Sequence, residues 1–243
     1  KNEKKQILNQ YPLNVCFCNI CKLLQLKESI NEKEIYKKFF YEISVTTGLK
    51  DHYFKFEKFF SKRFKIKKKT KSIIDIGCND GSFLEPFKLS GYDVVGVEPV
   101  KKFKKICEKK NIYCLNSYFN ANLAKKFKKK GLKFDVIAVN FLLANVDYLT
   151  EFIESINEIS EEKAYLIIET SHVLSVMKKN LYDTFFHEHI FYFSLYNLKN
   201  IFKKYKFEIH NLEFTKSKGG SLRIIFRKNV KCRSSIVKTA IKK

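Results

Sequence analysis

Residues 72–99 constrain the fold most strongly, because they order a strand, a glycine turn, a helix and a second strand. The first strand is a short β-branched run, as a parallel strand buried on both faces requires. Gly77 and Gly81 bracket the turn, where glycine tolerates positive φ and lets a ligand approach the backbone. Glu98 follows the second strand, about 20 residues past the glycines, where a carboxylate accepts both hydroxyls of a ribose. The pattern predicts a site for a nucleoside-containing cofactor.

The turn sequence DIGCNDG favours a cationic cofactor over a dinucleotide. It lacks the third glycine of the dinucleotide fingerprint and the lysine–serine pair of a P-loop. Asp75 and Asp80 repel a diphosphate, whereas they attract the sulfonium and ammonium groups of S-adenosylmethionine. The alternative is an ordinary βα turn followed by a solvated glutamate. The ordered strand, turn, helix, strand and glutamate favour the S-adenosylmethionine site.

Strand-like and helix-like segments alternate from Ile73 onward, which predicts an α/β fold with a doubly wound, mostly parallel sheet. The predicted strands cover residues 73–76, 94–97, 112–114, 134–139, 164–168, 208–214 and 222–226, and the predicted crossover helices cover 85–90, 101–110, 121–130, 149–159 and 195–205. Aromatic residues at helical spacing, among them Phe39, Phe40 and Phe60, predict two further helices within residues 32–66.

The chain is predicted to comprise three segments. Residues 1–66 form a cysteine-containing and helical element, residues 67–228 form the cofactor-binding domain with the acceptor-side motifs, and residues 229–243 form a basic tail. A charged linker over residues 65–71 leads into the first strand of the domain.

Composition limits the class of protein. The 243 residues are 45% hydrophobic, without an apolar run of the roughly 18 residues that span a membrane. The basic start KNEKKQ is not followed by the apolar stretch of a signal peptide. Seven unevenly spaced cysteines are not typical of a secreted disulfide framework, which predicts a reducing, cytoplasmic location.

The formal charge of +23 comes almost wholly from lysines that are spread over every segment. Proteins that read nucleic acid concentrate their positive charge and add arginine, so nucleic acid is not the favoured partner. Drift in composition explains the lysines, with an anionic acceptor as a secondary benefit. The expected partner is therefore an anionic or carbohydrate small molecule, and no membrane contact is predicted.

Polar side chains follow several of the predicted parallel strands. Because ligands bind at the carboxyl ends of such strands, these side chains are expected at one edge of the sheet: Asp75, Glu98, Ser117, Asn140 and Glu169. Residues 140–146, NFLLANV, are expected to form a wall of the methionine pocket. Leu142 and Leu143 fit that wall and the hydrophobic core equally well.

The segment LYDTFFHEHIFYFS places two histidines around one glutamate among aromatic residues. Packing alone does not select three ionisable groups, so His187, Glu188 and His189 are candidates for acid–base catalysis. In a strand, His187 and His189 face one side and Glu188 faces the other. A metal bound by the two histidines needs a further ligand, and no partner motif supplies one.

These pieces together resemble the S-adenosylmethionine-dependent C-methyltransferases of deoxysugar biosynthesis. The matching elements are the PL-x(4)-C-x-x-C-x-L-x-QL pattern of residues 12–26, GCNDGSFL, GVEP, NFLLANVDYL, FHEHIFYFS and GGSLR. The last two are the specific ones, because other methyltransferases lack them. The resemblance implies the Rossmann-like fold of class I methyltransferases and methyl transfer to a carbon beside a keto group of a sugar or sugar-nucleotide.

The resemblance also implies roles for individual residues. In such enzymes the histidine that matches His189 acts as general base, with the glutamate that matches Glu188 nearby. A base with a pKa near neutrality forms an enolate, whose carbon attacks the sulfonium methyl group. The residues assigned to the cofactor, at its methionine part, its ribose or the same edge of the sheet, are Asp75, Gly77, Asn79, Gly81, Glu98, Ser117 and Asn140.

Family members carry two N-terminal cysteine pairs that hold zinc, and only Cys18 and Cys21 match here. One pair cannot close a tetrahedral site, so either the zinc site is lost or it needs residues that precede Lys1. Cys78, Cys107 and Cys114 fall within the predicted cofactor-binding domain and are poor candidates for the zinc site.

Three positions depart from the family pattern. Phe186 replaces a tyrosine, Asn145 replaces a frequent histidine, and Lys218 stands where a histidine often precedes GGSLR. The nucleotide-holding segment that follows GGSLR in the family is not in this sequence, which widens the expected acceptors to smaller sugars and phosphorylated metabolites. O-methylation of such a metabolite is the alternative function, and a nucleic-acid methyltransferase or a non-catalytic relative are weaker ones.

Overall fold

A seven-stranded sheet forms the centre of the computed structural model, which describes residues 10–36, 41–64 and 72–232. The described strands are β1 (Val15–Phe17), β2 (Leu24–Leu26), β3 (Ser72–Ile76), β4 (Asp93–Val97), β5 (Tyr113–Leu115), β6 (Phe134–Asn140), β7 (Ser160–Ser171), β8 (Phe191–Tyr192), β9 (Phe207–Thr215) and β10 (Ser221–Lys228). The described α-helices are α1 (Glu32–Tyr36), α2 (Leu49–Phe64), α3 (Leu84–Leu89), α4 (Lys101–Lys109), α5 (Ala121–Lys129), α6 (Leu149–Ile159), α7 (Val173–Lys178) and α8 (Leu195–Lys203).

The large sheet has the strand order β5-β4-β3-β6-β7-β10-β9. Its first five strands are parallel, and β10 runs antiparallel to both β7 and β9. Buried apolar clusters cover the two faces, as the β-branched strands β3 and β6 require. The predicted α/β fold with a mostly parallel sheet is confirmed. Its parallel half brings the ends of β3, β4 and β6 to one edge.

A second sheet joins the N-terminal residues to the segment that contains the histidines. It has the order β1-β2-β8, with Leu24 opposite Tyr192 and Gln25 opposite Phe191. Because β8 begins two residues after His189, pairing with β2 fixes the chain that carries this histidine. The division at residue 66 stays a prediction. The predicted helical Phe39 and Phe40, the linker 65–71 and residues 233–243 of the basic tail lie outside the described residues.

The helices bury the apolar residues that the sequence periodicity indicates. In α2, Tyr53, Phe56 and Phe60 recur at helical spacing and are buried. The lysine-rich helix α4 buries Phe103 and Cys107 and leaves most of its lysines toward solvent. None of the described helices is long and apolar enough to cross a membrane.

Two elements differ from the sequence-based expectation. The strand predicted over residues 164–168 extends as β7 over Ser160–Ser171. Its polar ends carry no apolar pattern, but backbone pairing with β6 on one side and β10 on the other holds them in the sheet. The segment around His187 and His189, for which a strand would put both histidines on one side, instead forms a turn that precedes β8.

A buried ion pair joins the parallel half of the sheet to β10. Glu169 of β7 accepts hydrogen bonds from Nε and Nη2 of Arg223 at 2.9 and 2.7 Å, and His52 Nε2 of α2 lies 2.8 Å from its other oxygen. The guanidinium also stacks on the ring of Phe56 at 4.2 Å. Burial raises the pKa of Glu169, but the hydrogen bond from His52 and the charge of Arg223 outweigh it and lower the net pKa. The arginine of GGSLR is therefore part of the scaffold.

We expect Arg223→Met to lower the free energy of unfolding by about 3–5 kcal/mol at pH 7, because it leaves a buried carboxylate without its partner. The pKa of Glu169 is lowered in the folded state, so the pair stabilises the protein above the ordinary carboxyl pKa and this stability is lost as pH falls through the folded pKa. The difference in the free energy of unfolding between the parent protein and Arg223→Met, measured by denaturant unfolding, therefore becomes smaller toward acidic pH.

Glu213→Gln is the matched control for this prediction. Glu213 contacts the same guanidinium at 3.3 Å, but its side chain is 54% exposed. Its loss is expected to cost less than about 1 kcal/mol. Equal losses in the two variants would contradict the assigned role of the buried pair.

Candidate active site

A cavity of about 600 Å³ opens at the carboxyl ends of β3, β4 and β6. Three groups of residues surround it: the turns after these strands, the segment between α1 and α2, and the segment between α7 and β8. The turn that joins β9 to β10 contributes Lys218 at its mouth. The cavity lies at the edge where a parallel sheet binds its ligands.

Five of the seven predicted cofactor residues line this cavity, and they are Gly77, Asn79, Glu98, Ser117 and Asn140. The other two, Asp75 and Gly81, are buried beneath its wall. Leu142 lines the cavity, whereas Leu143 is fully buried in the core, so the two leucines divide between the two expected roles. Glu169, expected at the same edge, is held in the ion pair with Arg223 and is not among the lining residues.

Glu98 presents a buried carboxylate at the end of β4. Its Oε2 accepts the N–H of Asn79 at 3.1 Å, and its Oε1 accepts the N–H of Val100 at 2.8 Å. Burial raises the pKa of Glu98 to about 7, against the opposing effect of the two N–H groups. Each oxygen keeps further lone pairs, so the carboxylate can accept two hydroxyl groups from a ligand.

The glycine turn brings its backbone to the cavity surface. Gly77 has φ of +74°, and a Cβ atom there would lie 2.9 Å from a methyl carbon of Leu142. Asn79 also has a positive φ, at 49°, and its side chain links the turn to the segment before α2. Its Oδ1 accepts the N–H of Ile43 at 3.1 Å, and its Nδ2 donates to the carbonyl of Tyr41 at 2.9 Å. The turn is thereby fixed in the shape that lets a ligand approach.

Asp75 and Asn140 form a buried polar pair behind the glycine turn. Asn140 Nδ2 donates to Asp75 Oδ1 at 3.4 Å, and burial raises the pKa of Asp75 well above its ordinary value. Asn140 Oδ1 is buried and has no hydrogen-bond partner among the described residues. An amide oxygen without a partner in a ligand cavity is suited to accept a hydrogen bond from a bound ligand. Asp75 thus orients Asn140.

Glu188 also lines the cavity and is held by two donors. We call the part of the cavity around Glu188 and His189 the acceptor end and the part around Glu98 and Gly77 the cofactor end. Asn145 Nδ2 donates to its Oε1 at 2.8 Å, and the hydroxyl of Tyr36 donates to the same oxygen at 3.2 Å. Burial raises the pKa of Glu188 above its ordinary value. Burial and the charge of Glu188 also raise the pKa of Tyr36, which keeps its hydroxyl protonated as a donor. Asn145 Oδ1 is buried and has no partner in the described part of the chain.

His189 lines the cavity beside Glu188. Its Nδ1 lies 3.1 Å from the carbonyl oxygen of Thr184. Because a carbonyl only accepts, Nδ1 carries the proton and the neutral ring keeps Nε2 as a base. Burial lowers the pKa of His189, against the opposing effect of the Thr184 carbonyl. The imidazole is therefore neutral and able to take up a proton near pH 7.

His187 lies outside the lining of the cavity. Its Nε2 is 3.2 Å from the carbonyl oxygen of Tyr11 and 3.1 Å from that of Pro12. The alternation that a strand would impose on His187, Glu188 and His189 does not apply, because these residues lie in a turn. Glu188 and His189 line the cavity together, and His187 contacts the N-terminal segment.

Cys18 and Cys21 form a compact turn near the N-terminal sheet. The N–H of Cys21 lies 3.5 Å from Cys18 Sγ, and this contact lowers the pKa of the partly exposed Cys18 thiol. Within residues 10–36, 41–64 and 72–232, no third Cys, His, Asp or Glu ligand atom joins the pair. Two thiols fit half of a tetrahedral zinc site, as expected from the sequence.

The three core cysteines, which are poor candidates for a metal in the sequence because they fall within the cofactor-binding domain, lie together behind the glycine turn. Cys78 Sγ is 3.9 Å from Cys107 Sγ and 3.7 Å from Cys114 Sγ, and all three residues are buried. Their sulfur atoms lie within 4.8 Å of one another, so they could hold a thiophilic metal ion. Contacts between α4, β5 and the turn produce this cluster, and no local motif indicates it.

Sequence reasoning missed several lining residues, namely Tyr36, Tyr41, Ile43, Asp183 and Thr184. Most of these come from segments that are remote from the glycine turn in sequence. The signal for Tyr36 and Tyr41 is only their position among aromatic residues at helical spacing, which indicates core packing equally well.

The parallel sheet with an antiparallel β10 strand and the cavity at its carboxyl edge define an S-adenosylmethionine-dependent methyltransferase of class I. A family model described as a methyltransferase domain matches residues 50–212, which is more than half of the chain. The chain belongs to this methyltransferase family.

Known proteins agree with this class. The C-methyltransferase NovU of Streptomyces niveus is 22% identical over 212 residues, which cover 87% of this chain and 50% of NovU. The chain thus spans about half the length of this curated relative. Magnesium protoporphyrin IX methyltransferase (ChlM) from Synechocystis PCC 6803, solved with bound S-adenosylhomocysteine, has a TM-score of 0.58 at 14% identity, covering 81% of this chain and 92% of that chain.

A S-adenosylmethionine-dependent methyltransferase from Archaeoglobus fulgidus has a TM-score of 0.53 at 19% identity, over 72% of this chain and 94% of that chain. At these levels of identity, the two solved structures show that the fold is shared.

We expect the affinity for S-adenosylmethionine to depend on pH through Glu98. Its protonated carboxyl cannot accept both ribose hydroxyls, so binding weakens below the pKa of about 7 and levels off above it. Calorimetric titration should give about tenfold weaker binding at pH 6 than at pH 8.

Glu98→Gln is the matched control. It should bind the cofactor roughly 1–3 kcal/mol more weakly at pH 8, without the rise between pH 6 and pH 8. A raised carboxyl pKa stabilises the empty fold below the ordinary pKa, and this stability is lost as pH rises through about 7. The variant should therefore unfold at no lower temperature than the parent at pH 8. The same pH dependence in both proteins would contradict the role of Glu98.

Proposed function

We propose that the protein transfers the methyl group of S-adenosylmethionine to a sugar or sugar-nucleotide, at a carbon beside a keto group. The orientation of His189 is the observation that carries this proposal. Its Nδ1 is bound to the Thr184 carbonyl, and its basic Nε2 belongs to a ring that lines the same cavity as Glu98. A base in the cofactor cavity is what carbon methylation of an acidic C–H group requires.

In the proposed reaction, His189 Nε2 takes the proton from the carbon beside the keto group. The electron pair left on that carbon is shared with the keto oxygen and then forms the bond to the methyl carbon. The bond between methyl carbon and sulfur breaks, and the sulfonium becomes the neutral sulfide of S-adenosylhomocysteine. The lowered pKa of His189 supports this role, because the neutral base is present near pH 7.

The acceptor end of the cavity suits a polyhydroxylated ligand. Glu188 is oriented by Tyr36 and Asn145, and the buried Asn145 Oδ1 has no partner among the described residues. Both side chains can accept hydrogen bonds from hydroxyl groups that hold a ring in line with the methyl group. NovU, the curated relative, is a C-methyltransferase, which supports transfer to carbon.

Seven free thiols agree with a reducing cytoplasmic setting.

The cofactor residues follow from the same arrangement. We assign the ribose hydroxyls to Glu98 and the methionine part to Gly77, Asn79 and Asn140. Asp75 supports this set from behind through its contact with Asn140. Gly81 supports it through packing, since a Cβ atom there would lie 3.0 Å from Ile112 and 3.1 Å from Cys107. Ser117 lines the cavity near the ribose end, after β5.

We expect His189→Ala to reduce kcat by about 10²–10⁴-fold, because the base that forms the enolate is lost. The assay incubates the protein with methyl-deuterated S-adenosylmethionine and a panel of keto-sugar nucleotides and sugar phosphates. Mass spectrometry detects the labelled product, and NMR assigns the methyl group to carbon or oxygen. Cofactor affinity should be unchanged, which separates loss of the base from loss of the fold.

His187→Ala is the comparison variant, and it should retain most of the activity because its imidazole contacts the carbonyls of Tyr11 and Pro12. A second readout is uptake of deuterium from D₂O at the acceptor carbon in the presence of S-adenosylhomocysteine, which should require His189. A methyl group on oxygen would favour the alternative O-methyltransferase. Label transfer that is equal in His189→Ala would rule out this residue as the base.

A further inference from the structure

The turn that precedes β10 holds Lys218 in a backbone conformation that a lysine rarely adopts. Lys218 has φ of 45°, and the two glycines that follow it have φ of 79° and 134°. A Cβ atom at Gly219 would lie 2.8 Å from Leu181, and one at Gly220 would lie 3.2 Å from Ser175. The GG of GGSLR is therefore explained by the shape of this turn.

Several hydrogen bonds hold the turn in place. The Gly220 N–H donates to the Ser217 carbonyl at 3.0 Å, and the Ser221 hydroxyl donates to the same oxygen at 2.8 Å. Lys179 Nζ donates to the Gly219 carbonyl at 2.7 Å. A positive φ in a non-glycine residue costs of order 1–3 kcal/mol and persists only when its surroundings impose it. Such residues cluster at functional sites, which directs attention to what Lys218 contacts.

The side chain of Lys218 lies against two aromatic rings at the mouth of the cavity. Its Nζ is 4.3 Å from the ring centre of Phe141 and 4.6 Å from that of Tyr41. Phe141, directly after β6, also has a positive φ, at 54°. Two strained residues therefore meet in one cation–π contact, which restricts the ammonium without neutralising it. In the described part of the chain, no carboxylate oxygen lies within 4.0 Å of this ammonium.

The charge of Lys218 acts on the acceptor end of the cavity. Lys218 lines the same cavity as Glu188 and His189. Its charge opposes the rise in the pKa of Glu188 that burial causes, and it adds to the lowering of the pKa of His189. The ammonium thus faces the space beside the base. A positive charge fixed in that space attracts an anionic group of the molecule that the base acts on.

We propose that Lys218, held by the rings of Phe141 and Tyr41, binds a phosphate group of the methyl acceptor at the mouth of the cavity. This inference rests on the proposed function, because it defines the acceptor as a phosphorylated molecule. Lysine binds phosphate as a point charge, and the two rings keep it in position at low entropic cost. A neutral sugar would leave this subsite empty.

Inorganic phosphate is the probe, titrated into the 243-residue chain saturated with S-adenosylhomocysteine, with chloride replaced to keep ionic strength constant. The rise in unfolding temperature gives its apparent affinity. Lys218→Ala is expected to weaken phosphate binding at least about tenfold, and Lys218→Arg is expected to retain it. Lys216→Ala is the matched control, because Lys216 is an exposed residue of the same turn that does not line the cavity.

The following results would contradict the phosphate site or the proposed function on which it rests. Equal phosphate binding in the parent and Lys218→Ala would assign the effect to other lysines of this basic chain. Loss of S-adenosylhomocysteine affinity in Lys218→Ala would assign the ammonium to the carboxylate of the cofactor. If the parent itself does not bind S-adenosylhomocysteine, the proposed function fails, and the phosphate titration of the free protein still reports on Lys218.

Discussion

The geometry of the cavity depends on the hydrogen bonds of Glu169, whose carboxylate is buried. Its side chain binds Arg223 of β10 and His52 of α2, and its backbone carbonyl accepts the N–H of Phe141 at 2.7 Å. A carboxylate in the core is tolerated only when donors of this kind compensate its lost hydration. One residue thereby fixes the junction between the parallel strands, the helix α2 and the strand that follows the Lys218 turn.

Loss of hydration shifts the pKa values of Glu98 and His189 in opposite directions, with the same consequence for charge. It raises the pKa of Glu98 to about 7 and lowers that of His189, so both groups move toward their neutral forms. For His189, neutrality produces the base. For Glu98, the proposed hydrogen bonds from the ribose hydroxyls would favour the charged form, so cofactor binding is expected to release a proton. The side-chain oxygens of Asn140 and Asn145 are also buried, and neither has a hydrogen-bond partner among the described residues.

The cofactor end of the cavity could be predicted from the sequence, because its residues follow local patterns. Gly77 and Glu98 are tied to their strands by spacing alone, and both line the cavity. At the acceptor end, Glu188 and His189 could be predicted from their motif, whereas Tyr36 could not, because only tertiary contacts bring it to the cavity. His187 could not be told apart from His189 by its pattern, because its contacts with the carbonyls of Tyr11 and Pro12 depend on the tertiary structure.

The cavity is formed by two kinds of segment, the central strands and the peripheral loops, and this division affects how such proteins can change their substrates in evolution. The parallel strands and the turns after them carry the groups assigned to the common methyl donor, whereas Tyr36 of α1, the chain before β8 and the turn before β10 carry groups at the other end. Insertions or sequence changes in these peripheral segments do not alter the hydrogen bonds between the central parallel strands. Lineages with this architecture can therefore acquire new substrates by remodelling peripheral loops while the donor machinery is inherited intact.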